Sequence, residues 1–427
     1  DTSTTVGDIF NPPKDLFAPR LGLAWSPFGY RRMSVRAGVG IFYDLIKQDI
    51  YGDTRWLPPF YNLVVAGFGP GTFRKPALIF PFGISVPIQF NIDQPYTLSY
   101  NLQVQQELTS NTIVTASYVG SRGNHLTRSG EANPNVFSGT SGFNPNGPRL
   151  NPNFGSILHI VADAQSFFNS FQVGVEQRYS KGLIYQLSYT LAHAVDDASG
   201  PFLSDFLSEV GPVQDLFNRK NNRSASGFDV RHNFVFNFLY ELPFGSGKRY
   251  GSSFAGLAGR LVGGWQINGI LTLNSAFPFT VRHADNRSGN GAIFSADRPN
   301  IASGRGCTIL GDPTKWFDPA VFQPAAAGFY GNAGRNICRG PDFKNLDFSV
   351  LKDTRIGERL TVQFRSEFFN LTNHPNFGPP VNSQNPNGAG GNGDFVFSGT
   401  SPIDSAGRIF RTVNTSRQIQ FGLKIIF

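Results

Sequence analysis

The chain has 427 residues, including 42 Phe, 48 Gly and 29 Pro but a single Met, and only 15% of its residues are charged. No stretch approaches the roughly 20 apolar residues of a membrane-spanning helix, which excludes a helical membrane protein. The net charge of +8 comes from Lys and Arg residues scattered singly, without the basic stripe of a nucleic-acid-binding surface, so we expect no nucleic acid as a partner.

The first strong strand pattern lies at 96–108, after weaker segments near 20–27 and 33–43. Successive side chains of a strand point to opposite faces of a sheet, and here one face is apolar and the other polar. The apolar face carries Tyr96, Leu98, Tyr100, Leu102, Val104 and Leu108, with Gln106 as its one polar member. The segment is therefore predicted to be a strand whose two sides meet different surroundings.

Further segments repeat this alternation along the chain, with weaker ones near 112–120 and 344–352. Their apolar positions are Phe171, Val173 and Val175; Leu183, Tyr185, Leu187, Tyr189 and Leu191; Phe234, Phe236, Phe238, Tyr240 and Leu242; Trp265, Ile267, Leu271 and Leu273; and Leu360, Val362, Phe364 and Phe368. Together the segments predict about eleven strands, each near the roughly 9–11 residues of a tilted membrane strand.

The final strand pattern runs to the end of the chain and stops on an aromatic residue. One face carries Ile419, Phe421, Leu423, Ile425 and Phe427, while Gln418, Gln420, Gly422 and Lys424 lie on the other. This pattern resembles the closing strand of a bacterial outer-membrane β-barrel, in which a terminal Phe is the usual assembly signal. The resemblance implies that Phe421, Leu423, Ile425 and Phe427 form a signal read by the barrel-assembly machinery.

Connection lengths separate a membrane barrel from a soluble β-sandwich, because both show alternating strands. Short turns at 109–111, 180–182 and 357–358 are interleaved with long segments rich in Gly, Asn, Pro, Ser and Asp, at 44–94, 122–165, 197–228, 284–341 and 373–414. Long structureless loops are unusual in a compact soluble domain, whereas outer-membrane barrels have short periplasmic turns and long external loops. The sequence thus predicts an all-β, antiparallel transmembrane β-barrel in the outer membrane of a Gram-negative bacterium, with lipid against its apolar face and a periplasmic C-terminus. A secreted β-rich protein remains a further alternative.

Cys307 and Cys338 are the two cysteines of the chain, and both fall in the predicted external loop at 284–341. An even number of cysteines in an oxidising compartment favours a disulfide that pins this loop, with two free thiols as the alternative.

Catalytic chemistry has little support in the sequence. The nearest candidates pair His193 with Asp196 and Asp197, or His232 with Asp229, and each fits a polar rim position better than a hydrolase site. The sequence contains no GxSxG, HExxH or Walker-type motif. We therefore expect no enzyme activity and no cofactor, and a solvated loop fits the paired acids better than a Ca²⁺ site.

The polar sides of the strands carry Gln, Asn, Ser, Thr, Arg and Glu, which suits a hydrated barrel interior. Arg178, Arg365 and Glu367 are the charged candidates for this interior. They are predicted either to line a path for solutes or to pair with one another or with a plug.

Several phrases, in order along the chain, resemble the second half of the barrel in Oar-like TonB-dependent transporters. Among them are QPYTLSYNLQVQQEL at 94–108, DVRHNFVFNFLYELPFG at 229–245, GFYGNAGRN at 328–336 and LTVQFRSEFFNLTNHPNFG at 360–378. The resemblance covers about 16–427, and it implies that 1–427 is the C-terminal half of a 22-stranded barrel domain. The plug and the N-terminal regulatory-like domain of such a receptor have no counterpart in these residues. A smaller closed barrel of about 12 strands is the alternative.

The resemblance also implies a function, namely uptake of a scarce extracellular ligand through a plugged barrel, driven by TonB through the plug. The alternative is a passive, porin-like channel, which needs no plug. The sequence leaves the identity of the ligand open.

Overall fold

The computed structural model describes residues 11, 13, 15–27, 32–45, 82–200, 211–254, 256–294, 296–357, 359–380 and 394–427. Most of the predicted loop 44–94 and nearly all of the glycine-rich stretch 385–394 lie outside the described residues. The described part is dominated by one large antiparallel sheet, which we call the wall.

The wall consists of eleven strands, each paired antiparallel with the next along the chain. In chain order they are β1 (Arg20–Trp25), β2 (Met33–Tyr43), β3 (Tyr96–Thr109), β4 (Thr112–Glu131), β5 (Phe154–Ser180), β6 (Leu183–Asp196), β7 (His232–Glu241), β8 (Trp265–Asn274), β9 (Phe343–Ile356), β10 (Leu360–Phe369) and β11 (Gln418–Ile426). Two short strands join its margin: Phe82–Ser85 runs parallel to β5, and Ser224–Ala225 runs antiparallel to β6. The all-β fold and the number of wall strands predicted from the sequence are confirmed.

Strand register makes the two faces of the wall continuous. Side chains directly opposite one another in adjacent strands share a face. One apolar row crosses β6 to β9 through Leu187, Phe236, Leu271 and Leu346. One polar row crosses β3 to β7 through Gln103, Ser117, Gln172, Thr190 and Asn233. The alternation seen within single segments therefore adds up to one apolar face and one polar face.

One end of the wall carries mostly short connections, and we call it the turn end. The link between β5 and β6 is the two-residue turn Lys181–Gly182, in which both residues have positive φ, 52° and 85°. Glycine is needed at the second position, because a Cβ there would lie 3.0 Å from the carbonyl oxygen of Glu241.

A longer connection between β7 and β8 contains the helix α1 (Gly256–Val262), which lies against the turn end of the wall. The Nζ of Lys352 donates to the carbonyl oxygens of Arg260 and Gly263, and the Nε1 of Trp265 donates to the carbonyl oxygen of Leu261 at 3.0 Å. These bonds satisfy carbonyls that the end of a helix leaves free. Within the described residues, no helix has the length and hydropathy needed to cross a membrane.

The opposite end, which we call the long-loop end, carries most of the buried residues. A folded unit, here called the cap, comprises the described residues of 211–231, 275–342 and 394–413. Its short strands, together with those of the loop after β4, are Phe137–Ser138, Gly142–Phe143, Pro278–Phe279, Val281–His283, Asn300–Ile301, Ile309–Asp312, Lys315–Phe317, Phe322–Gln323, Cys338–Arg339, Asp394–Ser398 and Ser401–Pro402. The 3-10 helices Arg219–Asn222 and Pro319–Val321 complete it.

Two sequence predictions about the long segments are wrong. Only 132–153 of the predicted loop 122–165 connects two strands, because β4 continues to Glu131 and β5 begins at Phe154, with the two strands paired along this extension. At 20 and 27 residues, these strands exceed the predicted length. Register shifts on either side of Leu126 interrupt the alternation, which hides the continuation from a simple pattern count. The other error is that much of 284–341 is folded and not structureless.

Candidate functional site at the long-loop end

The cap is fixed to the wall by an arginine that binds the last residue of β6. Asp196 is 2% exposed, and its carboxylate accepts a charge-assisted hydrogen bond from the Nη2 of Arg335. The same Nη2 donates to the carbonyl oxygen of Asp196 at 2.8 Å, and the Nε of Arg335 donates to the carbonyl oxygen of Asn222 at 2.9 Å. One cap side chain thus joins the end of a wall strand to a second segment of the cap.

A second arginine repeats this arrangement at the start of β7. The Nη2 of Arg339 donates to the Oδ2 of Asp229 at 2.5 Å, and its Nη1 donates to the carbonyl oxygens of Asp229 and Ala276 at 2.9 and 3.0 Å. Asp229 is 1% exposed, and its Oδ1 also accepts from the backbone N–H of Ala194 in β6 at 2.7 Å. A buried carboxylate needs such partners, since an uncompensated one is very costly.

A third buried arginine holds the cap together internally. Arg298 is 2% exposed and donates through its Nε to the Oε1 of Gln214 at 3.2 Å and through its Nη2 to the carbonyl oxygen of Asn221 at 3.1 Å. Nearby, Asn336 and Thr280 form two hydrogen bonds with each other, both 3.0 Å long. The polar centre of the cap is therefore a connected network in which segments distant in sequence bind one another.

An apolar core lies beside this network. It consists of Phe279, Val281, Ile301, Phe317, Phe322, Ala333, Cys338, Val396, Phe397 and Ala406. Cys338 forms a disulfide with Cys307, and its side chain belongs to this core. The cap therefore has an apolar interior beside a hydrogen-bonded network of buried polar groups, as a folded unit requires.

Replacing both cysteines by serine is expected to destabilise the cap by about 3 to 4 kcal/mol, the usual value for a loop of this length. The loop closed by the disulfide spans 31 residues. Limited proteolysis of the cap in mild detergent measures the effect, with the Lys315→Ala variant of an exposed ion pair as the control. Equal cleavage rates with and without the disulfide would contradict this expectation.

His283 lies in the cap core with its side chain closed off from solvent. Its Nε2 accepts a hydrogen bond from the backbone N–H of Ala325 at 3.2 Å, so this nitrogen carries no proton. Burial lowers the pKa of His283; Asp285, whose Oδ1 lies 3.7 Å from Nδ1, raises it in part, and Arg287 lowers it further. Protonation of this ring is therefore disfavoured in the folded cap.

We expect the cap to lose stability as pH falls below about 6.5, the ordinary pKa of histidine. Below that pH the unfolded cap binds a proton at His283 that the folded cap does not, so stability falls with pH by at most about 1.4 kcal/mol per unit. Proteolysis of the cap between about pH 7.5 and 5.5 measures this slope. The His283→Gln variant, whose amide oxygen can still accept the Ala325 N–H, should flatten it; an unchanged slope in that variant would assign the effect to other groups.

The residues proposed for the barrel interior lie at two different depths. Arg365 opposes Leu351 and Gly422, on the same face as Gln363, and its Nε donates to the Oε1 of Gln363 at 2.6 Å. Glu367 lies on this face one step nearer the long-loop end, opposite Ser349 and Gln420. Arg178 is set apart from both, exposed at the turn end of β5.

The four residues of the predicted assembly signal lie on β11 or directly after it. Phe421, Leu423 and Ile425 are 68%, 69% and 54% exposed and lie on the apolar face, while Phe427 is 95% exposed. Such a continuous exposed apolar strip requires a cover, which in a membrane protein is lipid.

The histidines and acids considered for catalysis have other partners. His193 lies 3.3 Å from Asp229, not beside Asp196 or Asp197, and His232 accepts or donates a bond with the hydroxyl of Tyr189 at 2.9 Å. Asp196 is bound by Arg335 as described, and Asp197 accepts from a backbone N–H. Among the described residues, no group of three or more His, Cys, Asp or Glu side chains is arranged to hold a metal ion.

Sequence reasoning missed the buried arginines of the cap. Arg335 and Asp196 are 139 residues apart, so no local spacing connects them. The one available signal was the phrase GFYGNAGRN, which belongs to the family resemblance and contains Arg335.

An antiparallel meander with one continuous apolar face, one polar face and folded loops at one end defines an outer-membrane β-barrel wall. The chain belongs to the family described as outer membrane beta barrel domain, whose profile matches residues 3–420. This membership places the protein in the outer membrane. No curated protein matches the chain at a significant level.

Solved outer-membrane transporters and receptors are similar to this chain in fold, at low sequence identity. The outer membrane transporter YddB from Escherichia coli is 11% identical with a TM-score of 0.49, and the match covers 96% of this chain and 40% of that one. The siderophore receptor PiuA from Acinetobacter baumannii is 7% identical with a TM-score of 0.45, and the match covers 95% of this chain and 35% of that one. The FrpB iron transporter from Neisseria meningitidis is 11% identical with a TM-score of 0.41, and the match covers 96% of this chain and 39% of that one. The chain thus spans 40% or less of the length of these structures.

Proposed function

We propose that the chain is the C-terminal barrel portion of an Oar-like TonB-dependent receptor that takes up a scarce ligand across the outer membrane. In this proposal the polar face lines the barrel interior, the long-loop end is extracellular and the C-terminus is periplasmic. Energy comes from TonB through a plug, and the C-terminal strand engages the barrel-assembly machinery.

The observation that carries the proposal is the attachment of the cap to the polar side of the wall. Asp196, which Arg335 binds, opposes Ser166 on the polar face, next to the apolar pair Phe167 and Val195. A folded unit fixed at the mouth of a polar interior suits a receptor that holds its ligand before admitting it.

A passive porin-like channel is the rival function, favoured only by the polar lining itself. The two differ in conductance and in their need for energy. The full-length receptor in a planar lipid bilayer should give no steady ion conductance, because a plug closes it. Stable conductance steps would favour the porin.

Uptake in living cells tests the energy requirement. The cargo is identified first, as a compound that cells carrying the receptor deplete from the medium and a deletion strain does not. A protonophore should then stop its entry into the periplasm while leaving surface binding intact. Entry that continues at the same rate in the presence of the protonophore would contradict energised transport.

A further inference from the structure

Two arginines on the apolar side of the wall stack on the same phenylalanine ring. The guanidinium carbon of Arg122 in β4 lies 4.9 Å from the ring centroid of Phe167 in β5, and that of Arg223 lies 4.6 Å from the same centroid. Arg122 and Phe167 are direct register partners, and their row continues to Val195 in β6. This row is on the apolar face, four residues beyond the row of Tyr118 and Phe171.

The two guanidinium groups differ from the arginines of the cap in having nothing to donate to. Arg298, Arg335 and Arg339 each bind a carboxylate, an amide or several carbonyls. Arg122 and Arg223 are exposed, and their guanidinium groups have no hydrogen-bond or ion-pair partner within the described part of the chain. Stacking on a ring holds a guanidinium in place and leaves its N–H groups free for an anion.

Two acids in this part of the wall, Asp163 and Asp197, are paired with arginines. Asp163 accepts two hydrogen bonds from Arg128, at 2.5 and 2.7 Å, and Asp197 lies 3.5 Å from the Nε of Arg219. Lys220, next to Arg219, is exposed and adds a further positive charge. The surface around Phe167 therefore has an excess of positive charge.

The depth of this site matches the boundary of the membrane. From Thr112 at the turn end to Arg122, β4 rises by about 25 Å along the membrane normal, at about 3.3 Å per residue and a tilt of about 40°. An apolar band of about 25 Å is the height that outer-membrane barrels present to lipid. Arg122 is thus placed at the level of lipid headgroups, on the outside of the barrel.

A tyrosine pair marks the same boundary. The hydroxyls of Tyr100 and Tyr118 both donate to the Oδ1 of Asn169, at 2.9 and 2.7 Å, on the apolar side just nearer the turn end. The ring of Tyr100 lies over Gly120, where a Cβ would be only 2.2 Å away. Tyrosines with this placement are typical of the interface between hydrocarbon and headgroups.

We propose that Arg122 and Arg223, held by Phe167, bind the phosphate groups of a phosphorylated lipid in the outer leaflet. Arginine binds phosphate through charge-assisted hydrogen bonds, and two guanidinium groups on one ring are close enough to serve the same headgroup. The proposal rests on the long-loop end being extracellular but not on TonB or on transport.

Native mass spectrometry of the full-length receptor in mild detergent tests this site. The probes are a glucosamine-based acyl lipid carrying phosphate and the same lipid without phosphate. Each arginine is expected to contribute about fivefold in affinity, so R122Q/R223Q should bind the phosphorylated lipid about 25-fold more weakly. F167L, which keeps both arginines but removes the ring, should weaken binding by a smaller factor. The exposed pair R305Q/R408Q in the cap is the matched control and should bind as the unaltered protein does.

Folding of each variant is checked by its heat-modifiable migration on gels, so that loss of binding is read only in folded protein. Equal binding of the phosphorylated lipid by R122Q/R223Q and by the control pair would overturn the proposal. So would equal binding of the two lipids by the unaltered protein. Displacement of the lipid by millimolar inorganic phosphate would assign the site to free phosphate and would overturn its assignment to lipid.

Discussion

Arginine in place of Leu271 is expected to lower the free energy of unfolding in lipid vesicles by about 2 to 4 kcal/mol, the cost of such a charge on the lipid face near the bilayer midplane. Leu271 lies on the apolar face between Phe236 and Leu346. It is about 15 Å along the membrane normal from Trp265 at the turn end, close to half the apolar band. A guanidinium at this depth loses its hydration with no acid beside it. Denaturant titration of the folded barrel measures the loss.

Thr272→Arg is the matched control, since Thr272 is adjacent in sequence but lies on the polar face opposite Asn345. If this face lines a hydrated interior, the added charge stays in water and the free energy of unfolding should change by less than about 0.5 kcal/mol. Equal losses for both variants would mean that the two faces have similar surroundings, against the assignment of lipid to one of them.

Arg335→Leu is expected to release the cap from the end of β6, at a cost of about 3 to 5 kcal/mol in the stability of their attachment. The substitution leaves the carboxylate of Asp196, which is 2% exposed, without its cation. It also removes the donors to the carbonyl oxygens of Asp196 and Asn222. A loss of this size should raise the rate of proteolysis within the cap at least a hundredfold when cleavage follows local opening.

Two further variants show whether the buried charge is the cause. Lys315→Ala breaks an ion pair with Asp318, in which the Lys315 side chain is 54% exposed and that of Asp318 is 32% exposed. Because this pair is at the surface, its loss should lower the stability of the cap by less than about 1 kcal/mol. In the double variant Arg335→Leu, Asp196→Leu no unpaired charge remains, so most of the lost stability should return. Proteolysis of Arg335→Leu at the rate of the unaltered protein would show that the cap is held by other contacts.

The wall could be predicted because its chemistry is local. A strand with lipid on one side and polar surroundings on the other must alternate, and segments 183–191 and 234–242 do so, with Ile184, Val235 and Leu239 as the apolar exceptions on the polar side. The end of the chain was predictable for the same reason, with Phe421 and Leu423 on the apolar side and Gln420 on the other.

The extensions of β4 and β5 beyond the membrane could not be predicted from alternation. Past Gly123 both sides of the sheet are covered in part by protein, so the two faces no longer need different residue types. Arg128 is buried against Asp163 there, and Ile160 is fully buried and pairs with Ile88. The register shifts around Leu126 remove what periodicity is left.

The cap was beyond prediction because its contacts are long-range. Its Gly-, Asn- and Pro-rich segments have the composition of loops, and they fold through pairs that are far apart in sequence, such as Arg339 with Asp229 and Asn336 with Thr280. Only the disulfide between Cys307 and Cys338 could be suggested beforehand, since two cysteines allow a single pairing.

Lipid-quencher accessibility along β8 tests most directly whether hydrocarbon covers the apolar face. Single cysteines carrying a fluorophore are introduced at successive positions in the full-length receptor, which is then reconstituted in vesicles containing a bilayer-soluble quencher. We predict strong quenching at Ile267, Leu271 and Leu273 and weak quenching at Asn268 and Thr272, with the reverse order for a water-soluble quencher. Labels at the apolar positions that are shielded from both quenchers would show a protein layer against this face and would contradict the membrane-barrel account.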